Sequence, residues 1–350
     1  MKLCNNESRT EQTVWKGKKL LKILVIGAAG MIGRKLCDRL ARDGALAGQR
    51  IEELRLVDIV APSPPSLADF PSACEAFDLA APYVAPKLIA SRPDVIFLLA
   101  SIVSGEAESD FEKGYAINLD GTRLLFEAIR RENMISGGAY RPRVVFTSSI
   151  AVFGAPFPET IGDEFFTTPL TSYGTQKAMC ELLLADYSRR RFFEGVGVRL
   201  PTICVRPGAP NRAASGFFSG IIREPLAGKE AILPVSDSVR HWHASPRSAI
   251  GFLIHAASLD PALLGARRNL TMPGVSATVA DQIEALRAVA GDATVRLIRR
   301  ERNETIERIV AGWPTRFDAS RARSLGFTAE TNFSQIIQAY REDDDVGPVA

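Results

Sequence analysis

The stretch Leu20-Leu-Lys-Ile-Leu-Val-Ile26-Gly27-Ala-Ala-Gly30-Met-Ile-Gly33 decides the fold. Its first half is a short apolar, β-rich run that reads as a buried strand. Its second half sets three glycines three residues apart, directly before a helical pattern over Met31 to Asp43. In that pattern Ile32, Leu36 and Leu40 are spaced for one buried face. Glycines allow a tight turn and let backbone N–H groups approach a pyrophosphate, and the helix N-terminus adds roughly half a positive charge to hold it. The spacing alone is a weak signal, and a plain strand–helix turn is the bland alternative. The strand before it and the helix after it supply the context that a dinucleotide site requires.

Working outward, a second strand, Leu54-Arg-Leu-Val-Asp58, ends in an acid 25 residues past Gly33. A carboxylate there can accept hydrogen bonds from the adenine ribose hydroxyls and would repel a 2′-phosphate, so the expected cofactor is NAD. Arg34 and Arg55 are the residues that could instead accommodate that phosphate. A Pro/Ser/Ala-rich loop spans Ala61 to Pro71. Further strands are expected at Asp94 to Ala100, Arg143 to Thr147 and Val196 to Val205, with helices over Tyr115 to Glu132 and Tyr173 to Phe193. The alternation predicts an α/β fold, a Rossmann-type doubly wound parallel sheet. After Pro207 the rhythm breaks: a helix near Gly216 to Leu226, a strand near Asn269 to Met272, a helix from Thr278 to Ala290, a strand at Thr294 to Arg299 and a last helix near Phe333 to Arg341. The expected organisation is therefore a disordered extension (1–20), an NAD-binding domain (21–207), a smaller α+β substrate cap (208–341, with the chain free to re-enter the main sheet) and a solvated acidic tail (342–350).

Composition narrows the class. The 350 residues, 46% hydrophobic and 24% charged, suggest about two globular domains and exclude fibrous, disordered and disulfide-scaffold chains. Apolar runs such as Val95 to Ala100 are far shorter than the ~20 residues that span a bilayer. The net charge of +3 arises in the first 22 residues, so no basic patch within the fold suggests a nucleic-acid partner. Residues 1–20 lack the apolar core of a signal peptide. Cys4, Cys37, Cys74, Cys180 and Cys204 are scattered, with no Cys-x-x-Cys pair, which suits reduced thiols and a cytoplasmic address. His241 and His243 alternate along one strand with no Cys or carboxylate at ligand spacing, so no metal is expected; His255 reads as a structural residue in an apolar helix.

Chemistry gathers around Tyr173-Gly-Thr-Gln-Lys177. The i, i+4 spacing puts both side chains on one helical face. A tyrosine near pKa 10 becomes a useful base only where positive charge favours its phenolate, and an adjacent ammonium supplies it. Twenty-four residues upstream, Phe146-Thr-Ser-Ser149-Ile-Ala-Val-Phe-Gly154 closes a buried strand with a Ser that can hydrogen-bond a substrate oxygen as charge develops on it.

These motifs, in this order from Leu21 to Arg341, resemble the extended branch of the short-chain dehydrogenase/reductase superfamily, the NAD-dependent epimerase/dehydratase family. The resemblance implies Ser149, Tyr173 and Lys177 as the catalytic set, with Ser148 a neighbour and Asn118 beside the site. It implies Gly27, Gly30, Met31, Ile32, Gly33, Asp58, Asp78, Leu79, Leu99, Ala100, Tyr173 and Lys177 at the cofactor. Phe153 departs from the Tyr usual in the family. Dehydratases carry Asp-Glu after the catalytic residue, whereas Ile150 and Ala151 stand here, so dehydration is not expected. Ser215 to Gly228 and Ser238 to Arg247 resemble the D-erythronate dehydrogenase subgroup, which implies oxidation of a four-carbon sugar acid at C2. Expected substrate contacts are Ser104, Ser149, Thr202 and Arg240. Arg240 shares a strand face with Trp242 and would hold a carboxylate or a phosphate, the alternative being a structural ion pair. A sugar-nucleotide epimerase with transient NAD reduction is the second reading, and a catalytically silent cofactor sensor the third. Pairing of the two long helices implies a homodimer.

Overall fold

In the computed structural model, which describes residues 20–208 and 214–344, β1 (Leu20–Ile26) is the central strand. Leu21, Ile23 and Val25 enter one hydrophobic layer and Leu24 and Ile26 the other, the burial pattern of a strand covered on both faces. After α1 (Met31–Asp43), β2 (Ala45–Leu46) and β3 (Gln49–Asp58) form a hairpin, followed by β4 (Ser72–Ala76), α2 (Val84–Ile89), β5 (Val95–Leu98), α3 (Ser104–Ser109) and α4 (Phe111–Gly114). A π-helical turn over Tyr115–Asp120 leads into α5 (Gly121–Ile135). Then come β6 (Arg143–Ser149), a 3₁₀ turn (Ile150–Val152), α6 (Ser172–Arg189) and β7 (Glu194–Leu200).

The second part of the chain holds β8 (Thr202–Ile203), α7 (Gly216–Leu226), β9 (Ala231–Leu233), β10 (Arg240–Ala244), α8 (Pro246–Ser258), β11 (Asn269–Thr271) and β12 (Val275–Thr278). It continues with α9 (Val279–Val295), β13 (Ile298–Arg300), α10 (Glu304–Ala311), α11 (Ser320–Ser324) and α12 (Phe333–Asp343). The main sheet runs β11-β7-β6-β5-β1-β3, all parallel, with β4 parallel and β2 antiparallel on β3. This is the doubly wound fold. The order reverses between β1 and β5, so the crevice of the sheet opens at their carboxyl ends.

Two layers cover that sheet: α1 and α8 on one face, through Leu36, Leu40, Phe252 and Leu253, and α2, α5 and α6 on the other, through Leu88, Phe126, Ile129 and Leu184. Thus α8 and β11, which lie within 208–341, belong to the main sheet and its covering layer. A separate core gathers α7, α9, β9, β12 and α12 around Phe218, Ile221, Leu233, Leu286 and Ile337. The three strands β12-β10-β8 form a small sheet beside the crevice.

Several sequence expectations change. The strand expected over Val196–Val205 divides at Pro201, which has no N–H for a ladder, and Thr202–Ile203 pair with β10 instead. The strand expected at Thr294–Arg299 begins late: Thr294 and Val295 still belong to α9, and Arg296 and Leu297 form a turn. Gly291, at φ 80°, kinks α9, a further turn follows it, and the strand begins only at Ile298. The acidic end is not simply solvated: Arg247 pairs with Glu342 and Asp343, and Lys35 with Asp344. Cys4, residues 1–19 and residues 345–350 lie outside the described residues.

Candidate active site

The glycine turn is built by contacts that leave no room for side chains. The N–H groups of Gly27 and Ala28 both donate to the Val57 carbonyl, 2.8 and 3.1 Å, tying the turn to the end of β3. Gly27 has φ +94°, and a Cβ on it would lie 2.5 Å from the Ala100 nitrogen. A Cβ on Gly33 would lie 2.1 Å from the Gly27 carbonyl oxygen. Gly30 differs. Its Cβ would meet only that same oxygen, at 3.4 Å, and the residue is exposed on the cavity side. No side chain caps α1 at Gly30, so the first N–H groups of the helix stay open toward the cavity. The turn is a cradle of the size and charge that suit a pyrophosphate.

Asp58 backs the cradle: its Oδ2 accepts from the Ala29 N–H at 2.9 Å and its Oδ1 from the Ile59 N–H at 2.7 Å. Of the two arginines near it in sequence, Arg55 is engaged with Glu75 and the Leu88 carbonyl, and Arg34 is exposed on α1. Leu99 lines the cavity, while the Ala100 backbone closes on Gly27. Asp78 is exposed, accepting from the Ala80 N–H, and Leu79 is buried against Gly121. Neither reaches the cavity wall.

The cavity, about 510 Å³, runs from the glycine turn past the ends of β5 and β6 to the small sheet. Ser149 ends β6, where its Oγ accepts from the Ala151 N–H and caps the 3₁₀ turn. Thr171 caps α6, so Tyr173 stands in its first turn and points its hydroxyl at Ser149 and Ser101. Burial raises the Tyr173 phenol above its ordinary value, opposed first by the hydrogen bond from Ser149 and then by the charge of Arg206. Lys177, 2% exposed, donates to the Thr147 carbonyl at 2.9 Å. Burial lowers its pKa from 10.5 to about 8, with only Cys180 and Glu181 opposing. Positive charge reaches Tyr173 from Arg206, while Lys177 Nζ lies 5.7 Å from its ring centre.

Asn118 sits in the π-helical turn, buried behind the cavity wall. Its Oδ1 accepts from Ser101 Oγ and the Ile102 N–H, and its Nδ2 donates to Gln176 at 2.7 Å. It joins the loop after β5 to the residue beside Lys177. Ser148 faces the opposite way from Ser149 and donates to Glu181 at 2.6 Å; Arg199 holds both oxygens of that carboxylate.

Ser104 and Thr202 both line the cavity. The Thr202 hydroxyl lies 2.7 Å from His241 Nε2, and His241 Nδ1 lies 2.9 Å from the Pro314 carbonyl. A carbonyl only accepts, so Nδ1 carries the proton and Nε2 accepts from Thr202. Burial lowers the His241 pKa to about 4, which keeps the ring neutral. Arg240 does not reach the cavity. Its guanidinium binds the Ser276 carbonyl at 3.1 Å and lies 3.7 Å from Asp281. Side chains alternate along β10, and the face carrying Arg240 and Trp242 points away from the site, whereas His241 points in. Two arginines that the sequence reading overlooked, Arg206 and Arg223, line the cavity, along with Ser101, Trp313 and Pro314. Arg206 lies just past β8, and an Arg beside a Pro at a strand end was its only local signal. Phe153 packs on Phe317 and Phe165, with the Arg199 guanidinium 4.9 Å from its ring centre. Among the described residues no group of three or more His, Cys, Asp or Glu could hold a metal.

Comparison with known proteins gives the family. Residues 23–244 match the NAD dependent epimerase/dehydratase family. The chain is 44% identical over 327 residues to the D-erythronate dehydrogenase of Cupriavidus necator, covering 92% of this chain and 98% of that one. It is 42% identical over 324 residues to the D-erythronate dehydrogenase of Haemophilus influenzae, covering 93% and 100%. A solved structure described as the nucleoside-diphosphate-sugar epimerase from Agrobacterium tumefaciens superimposes with a TM-score of 0.92 at 61% identity, over 98% of this chain and 99% of that one. The chain belongs to the NAD-dependent epimerase/dehydratase family.

Proposed function

We propose that this protein is an NAD-dependent dehydrogenase that oxidises the C2 hydroxyl of a short sugar acid of the D-erythronate type to the 2-oxo acid. One observation carries the reading: a single cavity joins an uncapped glycine cradle at one end to Ser149, Tyr173 and Lys177 at the other. When bound, NAD supplies the hydride acceptor, and Gly27, Gly30, Met31, Ile32 and Gly33 would hold its pyrophosphate, with Asp58 near the adenosine. Tyr173 accepts the proton of the substrate hydroxyl. Ser149 donates to the same oxygen and steadies the charge that develops on it. Lys177, fixed on the Thr147 carbonyl, presents its remaining N–H groups to a nicotinamide ribose and keeps positive charge beneath the phenol ring, its Nζ 5.7 Å from the ring centre. Ile150 and Ala151 line the cavity where an acid/base pair would be needed to expel water, which speaks against dehydration.

The sugar-acid class is supported by the two erythronate dehydrogenase relatives. The 61% identical structure described as an epimerase favours the second reading, sugar-nucleotide epimerisation. The two part on net redox change. Purified protein with NAD is offered a panel of aldonates and, separately, UDP-sugars, while absorbance of reduced cofactor is followed. Net reduction with D-erythronate supports the dehydrogenase. UDP-sugar interconversion without accumulation of reduced cofactor overturns it. We further propose a homodimer formed through α5 and α6, on which Met134, Ile135 and Leu182 are exposed.

A further inference from the structure

The substrate end of the cavity carries an unusual charge balance. Lys177, Arg206 and Arg223 line it, and among the described residues no Asp or Glu does. Lys177 is committed to the Thr147 carbonyl. Arg223 is paired with Glu224 and donates to the Arg206 carbonyl at 2.7 Å. Arg206 has no carboxylate partner among the described residues. Its Nε donates to the Ile203 carbonyl at 2.9 Å and its Nη2 to Ser215 Oγ at 3.0 Å, while its own N–H is held by Ser219 Oγ. A guanidinium has five N–H donors, so two fix its plane and three remain to be met.

We infer that Arg206 is the receptor for the substrate carboxylate, and that its place beside Tyr173 selects the hydroxyl on the adjacent carbon for oxidation. The inference rests on the dehydrogenase reading and deepens it. A planar fork already held at Nε and Nη2 matches the two oxygens of a carboxylate, and little rotamer freedom is left to lose on binding. Position then decides regiochemistry. Arg206, Ser149 and Tyr173 line the same cavity, so an anion held by Arg206 lies next to the carbon whose hydroxyl proton Tyr173 accepts and whose hydrogen leaves as hydride to NAD. In a 2-hydroxy acid the carboxyl carbon is bonded to that carbon. In a sugar nucleotide the nearest anion, the diphosphate, is set off from a reacting ring carbon by the sugar itself. Thr202 forms the adjoining wall; its hydroxyl, which donates to His241, keeps lone pairs that can accept from a distal hydroxyl of a short polyol chain.

The test compares D-erythronate with its uncharged amide, D-erythronamide, on the wild type and on Arg206→Gln, with NAD affinity measured alongside by calorimetry. The wild type is expected to favour the acid strongly. In Arg206→Gln, kcat/KM for the acid falls by roughly a hundredfold or more, mostly through KM, and that for the amide changes by only a few-fold. NAD affinity is expected to stay within a factor of about two, since the glycine turn is left intact. Should the Gln variant fail to fold, Arg206→Lys, which keeps the charge and loses the fork, is expected to retain only part of the acid-over-amide ratio. An unchanged acid-over-amide ratio in the soluble variant, or a product carbonyl at C3 instead of C2 by carbon NMR, overturns the assignment while leaving the dehydrogenase intact. No net reduction of NAD by the wild type with any aldonate overturns the dehydrogenase reading itself, and the carboxylate receptor with it.

Discussion

Gly33→Ala and Gly30→Ala separate the two roles of the glycine turn. At Gly33 an added Cβ would sit 2.1 Å from the Gly27 carbonyl oxygen and 2.7 Å from Ala28 Cα, both backbone atoms that move only if the turn moves. Alanine in place of a helical glycine gains up to about 1 kcal/mol in propensity. Overpacking of this kind costs about 1–3 kcal/mol and can exceed it where backbone must shift. We expect a net loss of roughly 2 kcal/mol and a melting temperature several degrees lower, with or without cofactor. At Gly30 the backbone has φ −67°, which alanine adopts freely, and the new Cβ meets one atom at ordinary contact distance. Alanine at that N-cap costs on the order of 0.5–1 kcal/mol. The methyl group would occupy cavity space that the pyrophosphate needs, so NAD affinity falls at least about tenfold, or 1.4 kcal/mol. Scanning calorimetry reads the first quantity and isothermal titration with NAD the second. A Gly30→Ala protein that binds NAD like wild type refutes the cradle, and a Gly33→Ala protein of unchanged stability refutes the packing account.

Tyr173→Phe removes the hydroxyl that meets Ser149 and Ser101 and leaves the ring in place. Turnover is expected to fall by about 10²–10⁴-fold with NAD affinity preserved; retained activity would assign the base elsewhere. Because burial raises the Tyr173 pKa and the phenolate is the active form, sugar-acid oxidation is expected to accelerate with rising pH, and a flat profile between pH 7 and 10 would contradict that role. Lys177 links pH to stability: its folded pKa of about 8 lies below the ordinary 10.5, so the unfolded chain binds more protons between those values and stability rises with pH. From pH 7 to 9.5 wild type should gain about 2 kcal/mol relative to Lys177→Met in urea titrations, and parallel curves would show that the ammonium is not desolvated. Leu182→Glu on α6, where Leu182 is 69% exposed, is expected to turn a sedimenting dimer into monomer. A wild-type monomer would remove the dimer proposal.

The features legible in the sequence were those fixed by local spacing. Strand, turn and helix around Gly27–Gly33 follow from a few neighbouring residues, and Tyr173 and Lys177 share a helix face by geometry alone. Features that depend on which face of a short strand points inward were not legible. Arg240 alternates with His241 on β10, and a single register choice, set by pairing with Thr278 and Thr202, turned His241 to the cavity and Arg240 away. Arg206 was hidden for a related reason. It follows a two-residue strand that leaves the main sheet after Pro201, and only the tertiary path shows that it returns to Tyr173. The ion pairs of Glu342 to Asp344 likewise depend on partners far away in sequence. Asp58 could be placed from the strand end, but its hydrogen bond to Ala29 needed the turn itself.

The buried charges behind Ser149 are better explained by position than by stability. Ser148 and Ser149 leave β6 in opposite directions, and Ser148 is anchored to Glu181 on α6. Glu181 is in turn gripped at 2.8 and 2.6 Å by Arg199 of β7, whose guanidinium lies 4.9 Å from the Phe153 ring centre. Three elements thus meet where the Ser149 hydroxyl must be aimed. A buried ion pair adds little net stability over an apolar replacement, although breaking one side of it costs about 3–5 kcal/mol. What the pair does supply is a fixed relation between the end of β6 and the first turns of α6, which is the relation between Ser149 and Tyr173. Asn118 performs the matching task from the other side, joining Ser101 to Gln176. The Ser149 and Tyr173 hydroxyls are therefore flanked by a polar network that is buried apart from the half-buried Ser101. Among the described residues Arg206 lines the same cavity with no carboxylate partner, held by the Ile203 carbonyl and Ser215.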